Sequence, residues 1–332
     1  MPTVSARCRY AVIAIDAGNS KTDGLLIAAD GQVVASARSG PFRPHQVGVG
    51  AAVDSLAALV EQLRSAVGAR AGVPVAQHVS ACLANADLDR EVTALHDQIA
   101  GRGWSQTTTV RNDTFGLLRA GLDAPDGVAV VCGAGINCAG ICADGTTARF
   151  AAVGHISGDW GGGGGLWQEA MWWAARAEDG RGPETALREA LPRSVGLDSM
   201  AELIAAVHLG DLPETSCLQM TPLLFEVSAS GDQVARGIVL RQAEEVVRLA
   251  VAAIRRLGRA GTPIDVVLGG GVLTAGHRDL MTEIDRLLTE SQPHARTRVV
   301  RAAPVLGAGL LGLDEMGADQ ESKLRLRTTF AS

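Results

Sequence analysis

Two stretches of this chain share one plan, in which a hydrophobic run ends in a turn of small residues and returns at once as a second hydrophobic run. The first is YAVIAIDAGNSKTDGLLIAA at 10–29, and the second is GVAVVCGAGINCAGICAD at 127–144. Apolar runs of this length, bounded by turn residues, predict buried strands joined as hairpins. An Asp-Gly turn then leads into a third strand in each case, at 32–38 and at 145–153. The repeated plan predicts an α/β fold built by duplication.

The segments around these hairpins alternate between helical and strand patterns, as in a mixed sheet covered by helices. Further strands are predicted at 75–84, 107–113, 264–272 and 297–303. Apolar residues at helical spacing predict helices at 47–67, 87–99, 166–178, 183–191, 198–208, 231–257 and 277–290, and a last helix that starts at Pro304. The charged tail after Gly317 is expected to be frayed.

Length and charge narrow the class of protein. At 332 residues the chain exceeds the usual size of one domain, so two domains are expected. A net charge of −6 and the lack of a basic stripe argue against a nucleic-acid partner. The sequence has neither an apolar run of about 18 residues nor a signal-peptide pattern. We therefore expect no membrane partner and a cytoplasmic location.

Six cysteines lie at positions 8, 82, 132, 138, 142 and 217, and no two of them form a C-x-x-C pair. Their spacing excludes zinc-knuckle and thioredoxin-type motifs. They are either small buried residues in a reducing compartment or, for the three that lie close together at 132–142, ligands of a cluster.

The two hairpin turns carry groups that a plain hairpin does not need. Asp16-x-Gly18 and Gly133-x-Gly135-x-Asn137 occupy equivalent positions, and each glycine lets backbone N–H groups approach an oxyanion. Asp16 suits hydrated Mg²⁺, which prefers one or two carboxylates together with phosphates. A P-loop and a strand–GxGxxG–helix motif are both absent. Either turn alone could be a simple hairpin, but the pair in register predicts phosphate binding from both sides of a cleft.

The motifs DAGNSKTD, RNDTFGLLRAG, CGAGIN, SGDWGGGGG, LGGGV and PVLGAGLLG occur in this order over residues 16–312. This series resembles the N-acetylglucosamine kinase branch of the BadF/BadG/BcrA/BcrD ATPase family, within the actin-like ATPase and sugar-kinase superfamily. The same family contains activating ATPases of benzoyl-CoA reductase and 2-hydroxyacyl-CoA dehydratase.

The resemblance implies an actin-like ATPase fold, which is a duplicated ribonuclease H-like α/β fold with two domains around a nucleotide cleft. The N-terminal domain would span 1–112, with the sugar and the first phosphate motif, and the C-terminal domain 113–312, with the second phosphate motif and the adenosine motif. A C-terminal helix and tail at 313–332 would pack back towards the N-terminal domain. A homodimer is the family's expected assembly.

The resemblance also assigns roles to individual residues. It implies that Asp16 binds Mg²⁺ and that ATP is held by Gly18, Asn19, Ser20, Lys21 and Thr22, by Gly133, Ala134 and Gly135, and by Gly269, Gly270 and Gly271 beneath the adenosine. It implies that Asn112, Asp113, Asn137 and Asp159 bind the sugar.

Asp113 matches the catalytic base of the kinases. A sugar hydroxyl is a poor nucleophile, and a carboxylate that accepts its proton is worth roughly 10²–10⁴-fold in rate. The alternative is that Asp113 caps the helix predicted by TFGLLRAGL.

The segment SGDWGGGGG departs from the family pattern, because Trp160 stands where an acidic residue is usual. Its five glycines predict a closely approaching or closing loop. Four of the five tryptophans lie at 160, 167, 172 and 173, where they could stack on a sugar, fill a helix core or form a dimer face. In the loop at 40–52, Arg43 and His45 stand where the family has an asparagine for the acetamido group of the sugar. These two residues could instead contact a different substituent of the sugar, including an anionic one.

The patterns and the resemblance together imply an ATP- and Mg²⁺-dependent sugar kinase. The expected reaction is direct in-line transfer of a phosphoryl group to a primary hydroxyl of N-acetylglucosamine or a related amino sugar, with an aspartate as base. One alternative is an activating ATPase of the 2-hydroxyacyl-CoA dehydratase or benzoyl-CoA reductase type, which holds an iron–sulfur cluster between two subunits. Another is a non-catalytic sugar or nucleotide sensor.

Overall fold

The computed structural model describes residues 10–330, apart from the side chains of 214 and 215. This part of the chain contains ten strands: β1 (Tyr10–Ala17), β2 (Thr22–Ile27), β3 (Val33–Ser39), β4 (Ala76–Leu83), β5 (Ser105–Asn112), β6 (Gly127–Cys132), β7 (Ile136–Ile141), β8 (Thr147–Arg149), β9 (Ile264–Gly269) and β10 (Ala295–Val299).

The described helices alternate with these strands in the first third of the chain and dominate its middle. They are α1 (Pro44–Val47), α2 (Val49–Ala66), α3 (Asp89–Ala100), α4 (Asp113–Gly121), α5 (Gly162–Glu178), α6 (Leu187–Ser194), α7 (Met200–Leu209), α8 (Glu214–Leu218), α9 (Met220–Ala229), α10 (Gln233–Arg256), α11 (Gly271–Thr274), α12 (Arg278–Ser291), α13 (Pro304–Glu315) and α14 (Gln320–Thr328). A short 3₁₀ helix spans Gly154–Ser157.

The chain forms two compact units. Among the described residues, the first comprises 10–129, Ala139–Ala151 and 300–330. The second comprises Val130–Cys138 and Ala152–Val299. The helix α4 therefore belongs to the first unit. The division into domains at 112/113 stays a prediction of the resemblance.

Five strands of the first unit form a mixed sheet in the order β3-β2-β1-β4-β5. β1 is buried along its whole length because helices cover both faces of the sheet. Ile13 and Ile15 lie in the cluster that α2 and α3 share with the sheet. On the other face Val12 and Ala14 lie against α13, where Cβ atoms built on Gly312 and Gly309 would approach them.

The second sheet has the order β10-β9-β6-β7-β8. Read from its other edge, the order is β8-β7-β6-β9-β10. Numbered by their order along the chain, the strands of both sheets then run third, second, first, fourth and fifth from one edge to the other. β7 and β8 are antiparallel, like β2 and β3, and β9 and β10 are parallel, like β4 and β5. The predicted duplication is thus present in the topology. In the second unit, α10 packs on α9 and α12 through a stripe that includes Val239, Val246 and Ile254.

The helices α8 and α9 were not predicted, and three further segments differ from the expectations. The strand predicted at 145–153 is only three residues long, and within that range Ala152 has a positive φ of 48°, which is incompatible with a strand. The tail expected to be frayed contains α14, which Asp319 caps by accepting a bond from Ser322 N at 2.8 Å and which buries Leu326. The glycine run predicted as a loop forms the start of α5.

Candidate active site

The first glycine turn connects β1 and β2 in the first unit. Asp16 pairs with Asp23 and Ala17 with Thr22 across the hairpin, and Gly18 N donates to Lys21 O at 2.8 Å. Asn19, Ser20 and Lys21 are exposed, so the turn offers its backbone to a ligand. The ammonium of Lys21 lies 3.0 Å from Asp23 Oδ2.

Thr22 has a different environment from the rest of this turn. It is fully buried, and its hydroxyl donates to Gly40 O at 2.9 Å. The turn is braced from outside as well, since Asn85 Nδ2 donates to Asn19 Oδ1 at 2.9 Å and Arg43 Nε donates to Asn19 O at 3.0 Å. Arg43 and Asn85 thus support this turn, and their bonds give it a defined shape.

Asp16 lies at the end of β1 and is only 8% exposed. Burial raises its pKa to about 8, and the neighbouring carboxylates of Asp113 and Asp23 add to the effect. A buried carboxylate beside other carboxylates is stabilised by a cation, and oxygen is the ligand that Mg²⁺ prefers. The donor chemistry at Asp16 therefore fits a magnesium ion that also binds phosphate.

Asn112 and Asp113 stand where β5 ends and α4 begins. Asn112 is the cap of α4, because its Oδ1 accepts a bond from Thr114 N at 3.0 Å. Asp113 is the first residue of the helix, so the alternative that Asp113 serves as the cap is wrong. Burial raises the pKa of Asp113 to about 6, although hydrogen bonds from Thr114 oppose this. A carboxylate with this pKa is ionised at neutral pH and is still basic enough to accept a proton.

Asp87 is a third carboxylate in this region, and it belongs to none of the sequence motifs. It follows β4, whose last residue Leu83 pairs with Asn112, and its Oδ1 accepts a bond from Asn112 Nδ2 at 2.8 Å. Burial raises the pKa of Asp87 to about 7, and Asp113 adds to this effect. The position of Asp87 just after a predicted strand could have indicated it, since ligands of open α/β sheets bind beyond the carboxyl ends of strands. Asp16, Asp87 and Asp113 follow or end three adjacent parallel strands.

The second glycine turn, at 133–135, lies between β6 and β7. The glycine run contacts it through the backbone: Gly163 N donates to Gly133 O at 2.7 Å, and Gly164 N donates to Ala134 O at 2.8 Å. Gly162 has φ 73°, and a Cβ at that position would lie 2.5 Å from the carbonyl carbon of Gly135. Only glycine fits there without moving the turn.

The third glycine segment approaches the same turn. A Cβ built on Gly270 would lie 2.4 Å from Cys132 O, at the base of turn 133–135. Gly269 ends β9, and Gly271 begins α11. Three glycine motifs that are far apart in the sequence therefore meet around one backbone turn of the second unit.

Two side chains hold the glycine run in place. Gln242 Oε1 of α10 accepts a bond from Gly162 N at 3.0 Å, and Thr221 Oγ1 of α9 donates to Gly163 O at 2.9 Å. Gln242 is completely buried. The position of turn 133–135 thus depends on helices of the second unit as well as on its own strands.

Asp159 and Asn137 lie near this turn and are held by local bonds. Asp159 Oδ2 accepts bonds from Gly154 N at 3.0 Å and Ser157 Oγ at 2.5 Å, and Asn137 Oδ1 accepts from Cys138 N at 2.7 Å. Asp159 lines a cavity of about 730 Å³ within the second unit. Other residues that line the cavity are Gly135, Trp160, Gln168, Glu169 and Arg241.

The tryptophans beside this cavity form contacts with arginines and with each other. The guanidinium of Arg241 lies 4.1 Å from the ring centroid of Trp160, and that of Arg176 lies 4.5 Å from Trp172. Trp172 and Trp173 meet edge to face at 4.7 Å, and Trp172 is 49% exposed. Trp172 is thus at the surface of the unit, whereas Trp160 and Trp173 are partly buried.

All five cysteines within residues 10–330 are buried and none of the five forms a disulfide, and Cys8 lies outside the described residues. Burial raises the pKa of the Cys132 thiol to about 12. Among the described residues, no group of three or more His, Cys, Asp or Glu side chains is arranged to hold a metal ion. In the same part of the chain, none of the helices combines the length and apolar character that crossing a bilayer requires.

Two named proteins are similar to this chain over most of its length. It is 24% identical over 306 residues to the N-acetylmuramic acid/N-acetylglucosamine kinase of Clostridium acetobutylicum, covering 92% of this chain and 98% of that protein. It is 26% identical over 321 residues to the N-acetyl-D-glucosamine kinase of Dictyostelium discoideum, covering 91% of this chain and 97% of that protein.

Solved structures show the fold. A candidate N-acetylglucosamine kinase from Chromobacterium violaceum matches with a TM-score of 0.70 and 21% identity, covering 91% of this chain and 99% of that chain. A ROK family glucokinase from Streptomyces griseus, in complex with glucose and AMPPNP, matches with a TM-score of 0.54 and 17% identity, covering 92% and 98%. The predicted actin-like ATPase fold is confirmed. The sequence profile of one family matches residues 13–312, and the chain belongs to that family, the BadF/BadG/BcrA/BcrD ATPase family.

Proposed function

We propose that this protein is an ATP-dependent sugar kinase that phosphorylates a primary hydroxyl of N-acetylglucosamine or a related amino sugar. The observation that carries the proposal is the carboxylate of Asp113, which begins α4 without serving as its cap and lies close enough to Asp16 to raise its pKa. A base beside a metal-binding carboxylate is the pair of groups that phosphoryl transfer to an alcohol requires.

Asp113 accepts the proton of the attacking hydroxyl in this proposal. Its position at the start of α4 places the carboxylate where the helix dipole favours a negative charge, which keeps the base ionised near neutral pH. Asn112 would orient the sugar beside it, and Asn137 and Asp159 would bind further hydroxyls of the sugar.

The phosphates of ATP would be bound by the backbone of two turns. These are the turn at 18–21, with the side chains of Ser20 and Lys21, and the turn at 133–135. The segment at 269–271 would lie beneath the adenosine. Asp16 would hold Mg²⁺, which supplies charge neutralisation on the phosphates. Thr22 contributes to the turn through its bond to Gly40 rather than through an exposed hydroxyl.

The named relatives support an amino sugar as substrate. The proteins of Clostridium acetobutylicum and Dictyostelium discoideum are named as kinases of N-acetylglucosamine, the former also of N-acetylmuramic acid. The homodimer stays a prediction of the resemblance, and the cytoplasmic location stays a prediction of the sequence.

The burial of the cysteines favours the kinase over the activating ATPase. An iron–sulfur cluster shared by two subunits needs thiols at a surface, whereas Cys132 and Cys138 are no more than 1% exposed. Since burial raises the pKa of both thiols, their thiolate forms are disfavoured.

The test is a coupled ADP-release assay of the purified protein with MgATP and single sugars, with iron determined in the same sample. The panel comprises N-acetylglucosamine, N-acetylmuramic acid, N-acetylmannosamine, glucosamine and glucose. We expect sugar-dependent ADP release without iron, and its loss in Asp113→Asn but not in Asp97→Asn, which removes an exposed carboxylate of α3. ATP hydrolysis that ignores every sugar, in an iron-containing protein, would contradict the proposal and favour the activating ATPase.

A further inference from the structure

Asn85, two residues after the end of β4, has an uncommon backbone conformation. Its φ of 61° lies in the left-handed region, which Asn85 and Ala152 alone adopt among the non-glycine residues that the structure describes. Asparagine tolerates this region better than most residues do, but glycine adopts it without steric cost. The backbone alone would therefore be served by glycine, and the side chain of Asn85 needs an explanation of its own.

The side-chain amide of Asn85 connects two segments that are distant from it in the chain. Asn85 Nδ2 donates to Asn19 Oδ1 at 2.9 Å and to Phe42 O at 3.2 Å. Phe42 is itself fixed, because its side chain is fully buried and its N–H donates to Gly18 O at 2.9 Å. One amide thus joins the turn between β1 and β2 to the segment that follows β3.

The bonds of this turn decide which of its polar groups face a ligand. Its oxygen atoms are bonded within the first unit: Gly18 O accepts from Phe42 N, Asn19 O from Arg43 Nε, Lys21 O from Gly18 N, and Asn19 Oδ1 from Asn85 Nδ2.

The N–H groups of the same turn are in the opposite situation. Within residues 10–330, the backbone N–H groups of Asn19 and Ser20 donate to no group of the chain. Consecutive N–H groups attract an anion, whereas carbonyl and amide oxygens repel one. A turn whose oxygen atoms are held by the protein and whose N–H groups are available is therefore suited to phosphate.

We propose that Asn85 is a positioning residue for the nucleotide, which holds the side-chain oxygen of Asn19 away from the phosphates and fixes the turn at 18–21 with its N–H groups towards them. The inference rests on the function proposed above, in which this turn holds phosphates of ATP. Asn19 then binds ATP through its backbone N–H, while its side chain stabilises the turn. Asn85 itself contacts neither ATP nor the sugar.

The test measures the affinity of wild type and Asn85→Gly for MgATP and for adenosine, by calorimetry without sugar. Asn85→Gly loses both bonds and accepts the left-handed backbone, so it isolates the role of the side chain. We expect it to weaken MgATP binding about 5- to 30-fold. Adenosine has no phosphate and should bind as to wild type, whereas a general loss of structure would weaken both ligands.

The matched control is Thr297→Ala, which removes a side-chain bond of 2.8 Å between Thr297 Oγ1 of β10 and Asp285 Oδ1 of α12. This bond lies in the second unit, away from the turn at 18–21. Thr297→Ala should bind MgATP and adenosine like wild type.

Asn19→Ala distinguishes support of the turn from direct contact with ATP. We expect the double variant Asn19→Ala/Asn85→Gly to bind MgATP as Asn85→Gly does, because the Asn19 side chain has no further role once its bond to Asn85 is gone. Losses that multiply in the double variant would mean that the Asn19 side chain contacts ATP itself, and would overturn the inference.

Wild-type MgATP affinity in Asn85→Gly would also overturn the inference, as would an equal loss for adenosine. Asn85→Asp tolerates the same backbone but cannot donate, so it replaces Asn85→Gly if that variant does not fold. Wild-type MgATP affinity in Asn85→Asp would overturn the inference in the same way. A wild type that does not bind MgATP overturns the proposed function itself.

Discussion

Gly116 of α4 and Gly307 of α13 face each other so closely that a Cβ built on Gly307 would lie 1.7 Å from Gly116 O. This contact seats α4, whose first residue is Asp113, directly against α13 in the first unit. The atom in the way is backbone, which cannot rotate aside as a side chain can.

Gly307→Ala is therefore expected to destabilise the protein by roughly 1–3 kcal/mol, because the two helices must separate. The measurement is urea unfolding followed by circular dichroism. Gly50→Ala in α2 is the matched control, since a Cβ there meets nothing within 4 Å. Equal stability of the two variants would mean that the α4–α13 contact is not tight in solution.

Asp113→Asn should lower kcat roughly 10²–10⁴-fold and leave the affinity for MgATP intact, since an amide cannot accept the proton of the hydroxyl. Nucleotide affinity is measured by calorimetry and kcat by ADP release. Undiminished turnover would exclude Asp113 as the base.

The activity should also depend on pH through Asp113. Because burial raises its pKa to about 6, the base is protonated and inactive below that pH. We expect log kcat, measured at saturating MgATP and sugar, to fall with a slope of about one as the pH drops below about 6. A profile that stays flat down to about pH 5, with the protein still folded, would contradict this assignment.

Gly162→Ala should weaken nucleotide binding, because its Cβ would lie 2.5 Å from Gly135 C in a backbone conformation that alanine avoids. We expect a loss of about 10-fold or more in MgATP affinity, measured by calorimetry. Gly237→Ala, on an exposed turn of α10 with nothing within 4 Å, should bind MgATP like wild type. Wild-type affinity in Gly162→Ala would show that turn 133–135 does not hold the phosphates.

Glu315 should contribute stability that disappears in acid. Although burial alone would raise its pKa, hydrogen bonds from His78 and Thr109 and the charge of Arg111 lower it to about 2, below the ordinary 4.5. The contribution is therefore complete above about pH 4.5 and is lost as the pH falls towards 2.

Glu315→Gln should thus destabilise the protein by about 1–3 kcal/mol near neutral pH and by less near pH 3, measured by unfolding at both pH values. Glu321→Gln, which removes a carboxylate that is 84% exposed, is the control and should show no such pH dependence. A constant difference between Glu315→Gln and wild type at the two pH values would contradict the prediction.

Most elements of the fold could be predicted because their signals are local. The alternating runs around Asp16 and Gly135 identify the two hairpins, and helical spacing identifies α10 to within two residues at its start and one at its end. Local sequence patterns failed where a segment is stabilised by contacts with distant parts of the chain. The helix α14 is an example, because its charged sequence does not indicate that Leu326 is buried.

The sequence by itself determined the duplicated plan and the family, because both depend on short motifs and their order. Only the tertiary structure decided which of the polar residues form one site. Asp87 belongs to no motif and becomes relevant because parallel pairing brings the end of β4 beside Asn112. Likewise, Gly162 and Gly270 reach turn 133–135 only when α5 and β9 pack around it. A sequence motif reflects the local structure of one segment. A site also depends on how segments that are distant in the chain pack together.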